Sequence, residues 1–201
     1  MSWIKTIDYQ DADKRLKGIY DRIKGPQNNI DNILLVHSLR PHSLTGHMAL
    51  YKNVLHNMNN SLPRWFLESI GVYVSILNKC SYCVEHHFEG LRRLLIDDTR
   101  AIRIRNSFEE NKPGDAFHDK ELTVMRYVEK LTLNPSLLEE NDVHELRKSG
   151  FEDGEILEIN QVVSYFCYAN RTVLGLGVTT DGDILGLSPN DKDDPDNWGH
   201  K

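Results

Sequence analysis

The sequence predicts an all-α protein. Apolar residues recur at spacings of three and four almost throughout the 201 residues, which is the period of an amphipathic helix. Runs in which apolar and polar residues alternate, as they do in half-buried strands, are scarce. Proline, asparagine, glycine and aspartate divide the chain into segments of ordinary helix length.

Four helices are predicted before residue 78. A Gly-Pro pair ends the first, and Pro41 opens the third in its first turn, where proline is favoured. Ser61 is the expected N-cap of the fourth, with Pro63 near its first helical position. This fourth helix is apolar on nearly all sides, so we expect it to be buried. The segments are 11–23, 30–39, 41–55 and 59–77.

A break at Asn78 separates this apolar helix from the next, because asparagine tolerates the left-handed conformation that ends helices. The new helix should begin at Lys79 or Cys80 and run to Leu95. Aspartates, a proline and a glycine bound the remaining helices, which are predicted at 97–110, 115–134, 141–150 and 152–178.

Residues 1–180 are accordingly predicted to form a single helical domain. Residues 181–201 are acidic and rich in proline, glycine and asparagine, which indicates a C-terminal tail. If this tail is ordered, we expect it to lie over a neighbouring part of the molecule through Ile184, Leu185 or Trp198.

The two most apolar helices show a faint repeat with an offset of ninety residues. The shared residues are Leu67 with Leu157, Glu68 with Glu158 and Val72 with Val162. The match suggests two related helical units packed face to face, although chance similarity between two buried helices explains it equally well. In the repeat, Asn170 stands where the first unit has Cys80, and the second unit is scaffold.

The composition excludes several classes of partner. Hydrophobic residues make up 39% and charged residues 27%, as in globular proteins. A net charge of −6 offers no basic field for nucleic acid or anionic lipid. We recognise no secretory signal and no membrane-spanning run, so we expect a cytoplasmic protein with reduced thiols. In that setting a C-x-x-C pair indicates a metal or redox site.

The stretch "NKCSYCVEHHFEG" carries that pair. On a helix, Cys80, Cys83 and His87 fall on one face, whereas His86 should point away from it. His87 could take a thiol proton as a general base. The helix N-terminus favours Cys80 as the more acidic sulfur, while the spacing from His87 favours Cys83, so the residues alone leave the choice of nucleophile open.

Glu68 is a carboxylate inside a stretch that is otherwise largely apolar. Burial of a carboxylate without a partner is costly, so it either faces water or forms a pair. If the two helices fold back at Asn78, Glu68 could orient His87 and complete a chain of nucleophile, base and orienting group.

The pattern E-x11-C-x-x-C-x3-H, formed by Glu68, Cys80, Cys83 and His87, resembles the active-site signature of the alkylhydroperoxidase D-like (AhpD-like) enzymes. These belong to the carboxymuconolactone decarboxylase superfamily, and residues 30–180 are similar to its peroxidase-related branch. The resemblance implies a bundle of antiparallel helices that assembles as a homo-oligomer, a trimer or a hexamer.

The resemblance also implies a thiol peroxidase that reduces a small organic hydroperoxide and needs no cofactor or metal beyond a redox-active disulfide. Cys83 would attack the peroxide, Cys80 would resolve the sulfenic acid, His87 would accept the thiol proton, and Glu68 would hold His87. A dithiol or lipoyl-type reductant would restore the pair. Tyr82 stands where some members have a relay histidine, and this departure bears on the rate of peroxide reduction.

The residues also allow other interpretations. The two cysteines could be buried structural residues, or with His87 they could bind zinc, although no second ligand motif follows. The protein could also be a redox sensor or a disulfide reductase without efficient peroxide turnover. Cys167 is expected in the core, and Glu158 either pairs with an arginine such as Arg171 or is exposed. Most of the remaining histidines are expected at the surface or at an interface: His37, His42, His47, His56, His118 and His144.

Overall fold

The computed structural model describes residues 1–189 and 198–201. Within these residues the chain forms nine α-helices and no β-strand beyond an isolated bridge between Pro189 and His200, so the predicted all-α class is confirmed. The helices are α1 Lys14–Ile23, α2 Asn32–Leu35, α3 Pro41–Leu55, α4 Arg64–Leu77, α5 Ser81–Leu95, α6 Asp98–Glu109, α7 Asp119–Leu133, α8 Glu140–Lys148 and α9 Asp153–Leu176. Two single 3₁₀ turns flank α7, at Pro113–Asp115 and Pro135–Leu137.

Helix α4 lies at the centre of the bundle and contacts α3, α5, α6, α7 and α9. Every residue from Phe66 to Ser75 is buried, as the apolar sequence predicts. Gly71 allows α9 to approach closely, because a Cβ atom at this position would lie only 2.2 Å from the ring of Phe166. Burial of these apolar surfaces is the main force that holds the bundle together.

The turn from α4 to α5 differs from the prediction in one detail. Lys79, and not Asn78, takes the left-handed conformation, with φ of 58°. Asn78 stays right-handed because its amide donates a hydrogen bond to Asn170 Oδ1 at 3.0 Å. The turn therefore reverses the chain by straining a lysine, and it places the start of α5 against α4 and α9.

The entry to α4 also differs from the prediction. Pro63, and not Ser61, is the N-cap residue. The backbone N–H groups of Ser61 and Leu62 instead donate to the two oxygens of Glu158, at 2.8 and 3.0 Å. Glu158 is thus neither paired with Arg171 nor simply exposed. It ties the loop before α4 to α9.

The proposed repeat is not mirrored in burial. Leu67 is fully buried, whereas Leu157 is 56% exposed. Glu68 is buried and Glu158 only partly so, which leaves Val72 and Val162 as the one matched pair with the same environment. The repeat remains a prediction.

The described parts of the C-terminal segment, residues 181–189 and 198–201, lie against the helices. Trp198 is buried, and the guanidinium of Arg22 lies 4.5 Å from its ring. Ser188 and Lys201 pair through two backbone hydrogen bonds of 3.0 and 3.3 Å. Residues 190–197 of the predicted acidic tail lie outside the described residues. The division of the chain at residue 180 remains a prediction.

Candidate active site

The turn between α4 and α5 places two cysteines at the start of a helix. Cys80 is the N-cap residue of α5, and Cys83 lies in its first turn. The helix thus begins where the sequence predicts. Both side chains are buried, and both are free thiols, as is the half-buried Cys167 on α9.

The two thiols differ in acidity because each lies in the field of the other. The Cys83 thiol hydrogen-bonds to Cys80 and lowers the pKa of the Cys80 thiol against the opposing effect of burial. The same interaction, together with burial, raises the pKa of Cys83 well above its usual range. The pair therefore loses its first proton from Cys80, the sulfur that the helix N-terminus favours.

Asn170 is a residue that the sequence analysis placed only in the scaffold. Its side chain is fully buried, and its Nδ2 donates to Ser75 Oγ at 3.2 Å. It also hydrogen-bonds to the cysteine pair and lowers the pKa of both thiols. A signal was present in the sequence, because an asparagine inside an apolar helix needs buried polar partners.

Glu68 and His87 are brought together as the sequence analysis anticipated. The Nδ1 atom of His87 lies 2.8 Å from Oε2 of Glu68, whose side chain is only 3% exposed. The ring of His87 is held edge-on to Phe166, with centroids 4.5 Å apart. This arrangement fixes the imidazole and leaves Nε2 as the atom available for another partner. The catalytic roles of both residues remain predictions.

Cys83, His87 and Glu68 line one internal cavity of about 40 Å³. This volume admits about three water molecules, so the cavity holds a small ligand as it stands. Its wall is made by α3, α4, α5 and α9, by the chain around α2 and by the C-terminal segment. Cys80 lines two surface grooves on the other side of the pair instead, and the two sulfurs therefore differ in what can reach them.

His86 lines the same cavity, which differs from the prediction that it points away. Its Nε2 lies 3.2 Å from Oδ2 of Asp183, and its ring packs against that of Tyr82 with centroids 4.6 Å apart and planes tilted by 31°. The hydroxyl of Tyr82 donates to the same Asp183 oxygen at 2.6 Å. The missed signal is the spacing of three residues from Cys83 to His86, which also places two side chains side by side on a helix.

Buried titratable groups surround the rest of the cavity. Burial raises the pKa of Asp31 to about 6, and it lowers the pKa of His47 to about 3 and that of His200 to about 4. His47 and the nearby His56 are buried within the chain, so they are exceptions to the expectation that most of the histidines lie at the surface or at an interface. His42, His118 and His144 are exposed as predicted, and His37 is half-buried.

Within residues 1–189 and 198–201, no three histidine, cysteine, aspartate or glutamate side chains are arranged to hold a metal ion. Among the same residues, no helix is long and apolar enough to cross a membrane.

The fold and the site define a helical protein with a buried dithiol at a helix N-terminus and an imidazole–carboxylate pair in the adjoining cavity. No protein-family model matches the sequence, and no curated protein matches it significantly. Solved structures do match. A peroxidase-related protein from Silicibacter sp. TM1040 is 24% identical, with a TM-score of 0.69 over 77% of this chain and 78% of its own.

A peroxidase-related protein from Ralstonia eutropha JMP134, described as an alkylhydroperoxidase AhpD core, has a TM-score of 0.75 at 19% identity and covers 92% of this chain and 96% of its own. The debrominase Bmp8 in complex with 2,3,4-tribromopyrrole has a TM-score of 0.68 at 14% identity, over 90% of this chain and 95% of its own. The chain therefore has the fold of the AhpD-like superfamily, as the motif resemblance predicts.

Proposed function

We propose that the protein is a thiol-dependent hydroperoxide reductase whose Cys80 and Cys83 cycle between dithiol and disulfide. The observation that carries this proposal is the cavity lined by the Cys83 thiol and the His87–Glu68 pair. A nucleophile, a base and a group that orients the base are the parts that activation of a thiol requires. The AhpD-like fold supports the same activity.

The attack on peroxide is assigned to Cys83 in spite of its raised pKa. Cys83 faces the cavity, whereas Cys80 lies behind it, and a ligand in the cavity meets only the first sulfur. His87 takes the thiol proton, and the sulfur then attacks the terminal peroxide oxygen. An S–O bond forms, the O–O bond breaks, and the products are the Cys83 sulfenic acid and an alcohol or water.

The lowered pKa of Cys80 suits the second step. The thiolate is the attacking form of a cysteine, so Cys80 is ready to attack the sulfenic sulfur as soon as it forms. The S–S bond replaces the S–O bond, and the oxygen leaves as water. A dithiol, such as a lipoyl-type reductant, then returns both sulfurs to thiols and becomes oxidised itself. The expected homo-oligomer and cytoplasmic location remain predictions.

The test is peroxide-dependent consumption of a dithiol by the wild type and by Cys83→Ser, Cys80→Ser and His87→Ala, with Cys167→Ser as the matched control. Intact mass after brief exposure to peroxide reports the disulfide as a loss of two hydrogens. We expect turnover in the wild type and in Cys167→Ser, and its loss in both C-x-x-C variants by at least roughly 10³-fold. His87→Ala should be slower by roughly 10²-fold.

The outcomes separate this proposal from its alternatives. Reversible disulfide formation without turnover would indicate a redox sensor, and reduction of protein disulfides without peroxide consumption would indicate a disulfide reductase. If the cysteines stay reduced under peroxide, the redox proposal fails as a whole.

The debrominase neighbour provides a second candidate, the reductive dehalogenation of a small aromatic halide. The observation in its favour is that the rings of Tyr51 and Tyr165 stack with centroids 5.3 Å apart and line the cavity. The net reaction would replace halogen by hydrogen and oxidise the dithiol to the disulfide. The peroxide is ranked first because the peroxidase-related neighbours are 24% and 19% identical to this chain, whereas the debrominase is 14% identical. Dithiol-dependent release of bromide from a bromopyrrole would reverse this ranking.

A further inference from the structure

Two imidazole–carboxylate pairs face the cavity, and the proposed reaction has so far used only one of them. His87 is paired with Glu68, and His86 is paired with Asp183. Both histidines line the cavity beside Cys83. They lie on opposite sides of Cys83 along the face of α5, because one follows it by three residues and the other by four.

Cleavage of an alkyl hydroperoxide requires two proton movements. One proton must leave the thiol of Cys83, and another must reach the oxygen that departs as alkoxide. Alkoxides are strong bases and poor leaving groups, so a donor within hydrogen-bond distance of the departing oxygen accelerates the step. A single imidazole would have to accept the first proton and then move to deliver it at a second place.

We propose that His86 is the general acid that protonates the departing alkoxide, while His87 serves as the base for Cys83. This inference rests on the proposed peroxidase function and names the proton donor of the same site. The Nε2 atom of His86 is engaged by Asp183, so Nδ1 is the atom left for a ligand in the cavity. A proton on Nδ1 can pass to a ligand oxygen in the cavity while Nε2 stays paired with the carboxylate of Asp183.

Asp183 is the positioning residue of this pair. Its carboxylate accepts from the hydroxyl of Tyr82 and from the backbone N–H of Asn32, at 2.6 and 3.0 Å, and it is thereby fixed in front of His86. The ring of Tyr82 supports the imidazole from one face. Asp31 and His200 line the same cavity as His86.

The chemistry of the leaving group separates a general acid from a merely structural residue. tert-Butyl hydroperoxide releases an alkoxide that needs a proton. Peracetic acid releases acetate, a stable anion that needs none. A general acid therefore matters for the first oxidant and hardly at all for the second, whereas a residue that only shapes the cavity or activates Cys83 affects both.

The experiment measures the second-order rate constant for oxidation of the reduced protein by each oxidant in a stopped-flow instrument. We expect His86→Gln to lower the rate constant for oxidation by tert-butyl hydroperoxide roughly 10²-fold. The rate constant for oxidation by peracetic acid should fall by less than about 3-fold. Asp183→Asn should show the same selectivity with a smaller loss. His87→Ala should lower the rate constants for both oxidants. His118 is exposed, and His118→Gln should lower neither rate constant.

The assignment is wrong if His86→Gln lowers the rate constants for both oxidants equally or lowers neither. The peroxidase function would stand in either case. If the wild type reacts with neither oxidant, the peroxidase function itself is wrong. Reaction of the variants with peracetic acid at the wild-type rate shows that the site is folded. Should His86→Gln fail to fold, the selectivity of Asp183→Asn decides the question.

Discussion

The two sides of the cavity are built in different ways. The helical wall consists of the side chains from α4 and α5, namely Glu68, Tyr82, Cys83, His86 and His87. The loop wall consists of Asp31, the chain from Gly186 to Ser188, and His200. The helical wall belongs to two adjacent helices joined by a short turn. The loop wall joins the start of α2 to the end of the chain and is fastened by Asp183, which is 151 residues from its partner Asn32.

This difference has a functional meaning. The helical wall carries the thiol and its base on rigid, fully packed elements, which suits the exact placement of reacting groups. The loop wall holds no cysteine and is irregular chain fastened by the hydrogen bonds of Asp183 with Asn32 and Tyr82, which is a weaker attachment than helix packing. We therefore expect changes in the helical wall to affect chemistry, and changes in the loop wall to affect closure and stability.

A large effect on turnover, second to that of the cysteine variants, is expected for Glu68→Gln in the helical wall. Loss of the carboxylate removes the charge that supports His87 when it takes the thiol proton, so peroxide turnover should fall by roughly 10²-fold. Glu158→Gln is the matched control, because this second carboxylate caps backbone N–H groups away from the thiols. Steady-state turnover with a dithiol checks the prediction. Activity of Glu68→Gln within about threefold of the wild type would remove Glu68 from the mechanism.

The same contrast explains how much the sequence could predict. Periodicity and spacing gave the helical class and brought Glu68, Cys83 and His87 together, because their geometry follows from two adjacent helices. The position of Asp183 could not be predicted in this way. Its contacts span about a hundred residues or more, and no repeating pattern in an irregular segment specifies where it docks.

The buried His47 shows a second limit of the sequence. Its solvent exposure depends on the packing of α3 against α9, and the rings of Tyr165 and Tyr168 lie 5.8 and 5.9 Å from it. Polar residues are usually exposed, so exposure is the default prediction for a histidine. This prediction fails where a polar side chain lines a cavity inside the protein.

A stability change of unusual sign is expected in the loop wall for Asp31→Asn. Burial raises the pKa of Asp31 from 3.8 to about 6. The folded state therefore binds this proton more tightly than the unfolded state, and stability falls as the pH rises from about 4 to about 6. The asparagine variant avoids this loss, so it should be more stable than the wild type at pH 7, by at most about 3 kcal/mol.

The free energies of unfolding of both proteins, measured with urea at several pH values between 4.5 and 8, check this prediction. The stability difference should grow up to a pH slightly above 6 and then remain constant. Asp142→Asn is a control of opposite sign, because the nearby Lys130 lowers the pKa of Asp142. A wild type that is more stable than Asp31→Asn at pH 7 would show that Asp31 has a charged partner and is not simply desolvated.

The rigidity of the helical wall can be tested at Gly71. A Cβ atom there would lie 2.2 Å from the ring of Phe166, which also packs on His87, so α9 must shift away from α4. We expect Gly71→Ala to lower the free energy of unfolding by about 1–3 kcal/mol. Gly18→Ala is the control, because its Cβ meets no atom within 4 Å on an exposed helix face. That variant should gain about 0.5–1 kcal/mol. Equal effects of the two substitutions in thermal unfolding would contradict the close packing.

The smallest change in stability is expected when the fastening of the loop wall is cut by Asp183→Ala. The N–H of Asn32 and the hydroxyl of Tyr82 lose their acceptor, but they can reach water once the wall moves, so the loss should be only about 1 kcal/mol. Because the lost free energy favours the closed position of the loop wall, the fraction of molecules with an open cavity should rise roughly five- to tenfold.

Alkylation of Cys83 by a small thiol reagent, followed by peptide mass analysis, measures how often the cavity opens. The exposed Asp181→Ala in the same segment should leave that rate unchanged. If the rate for Asp183→Ala is also unchanged, ligands enter the cavity by a route that the loop wall does not control, and the division between a chemical wall and a closing wall is wrong.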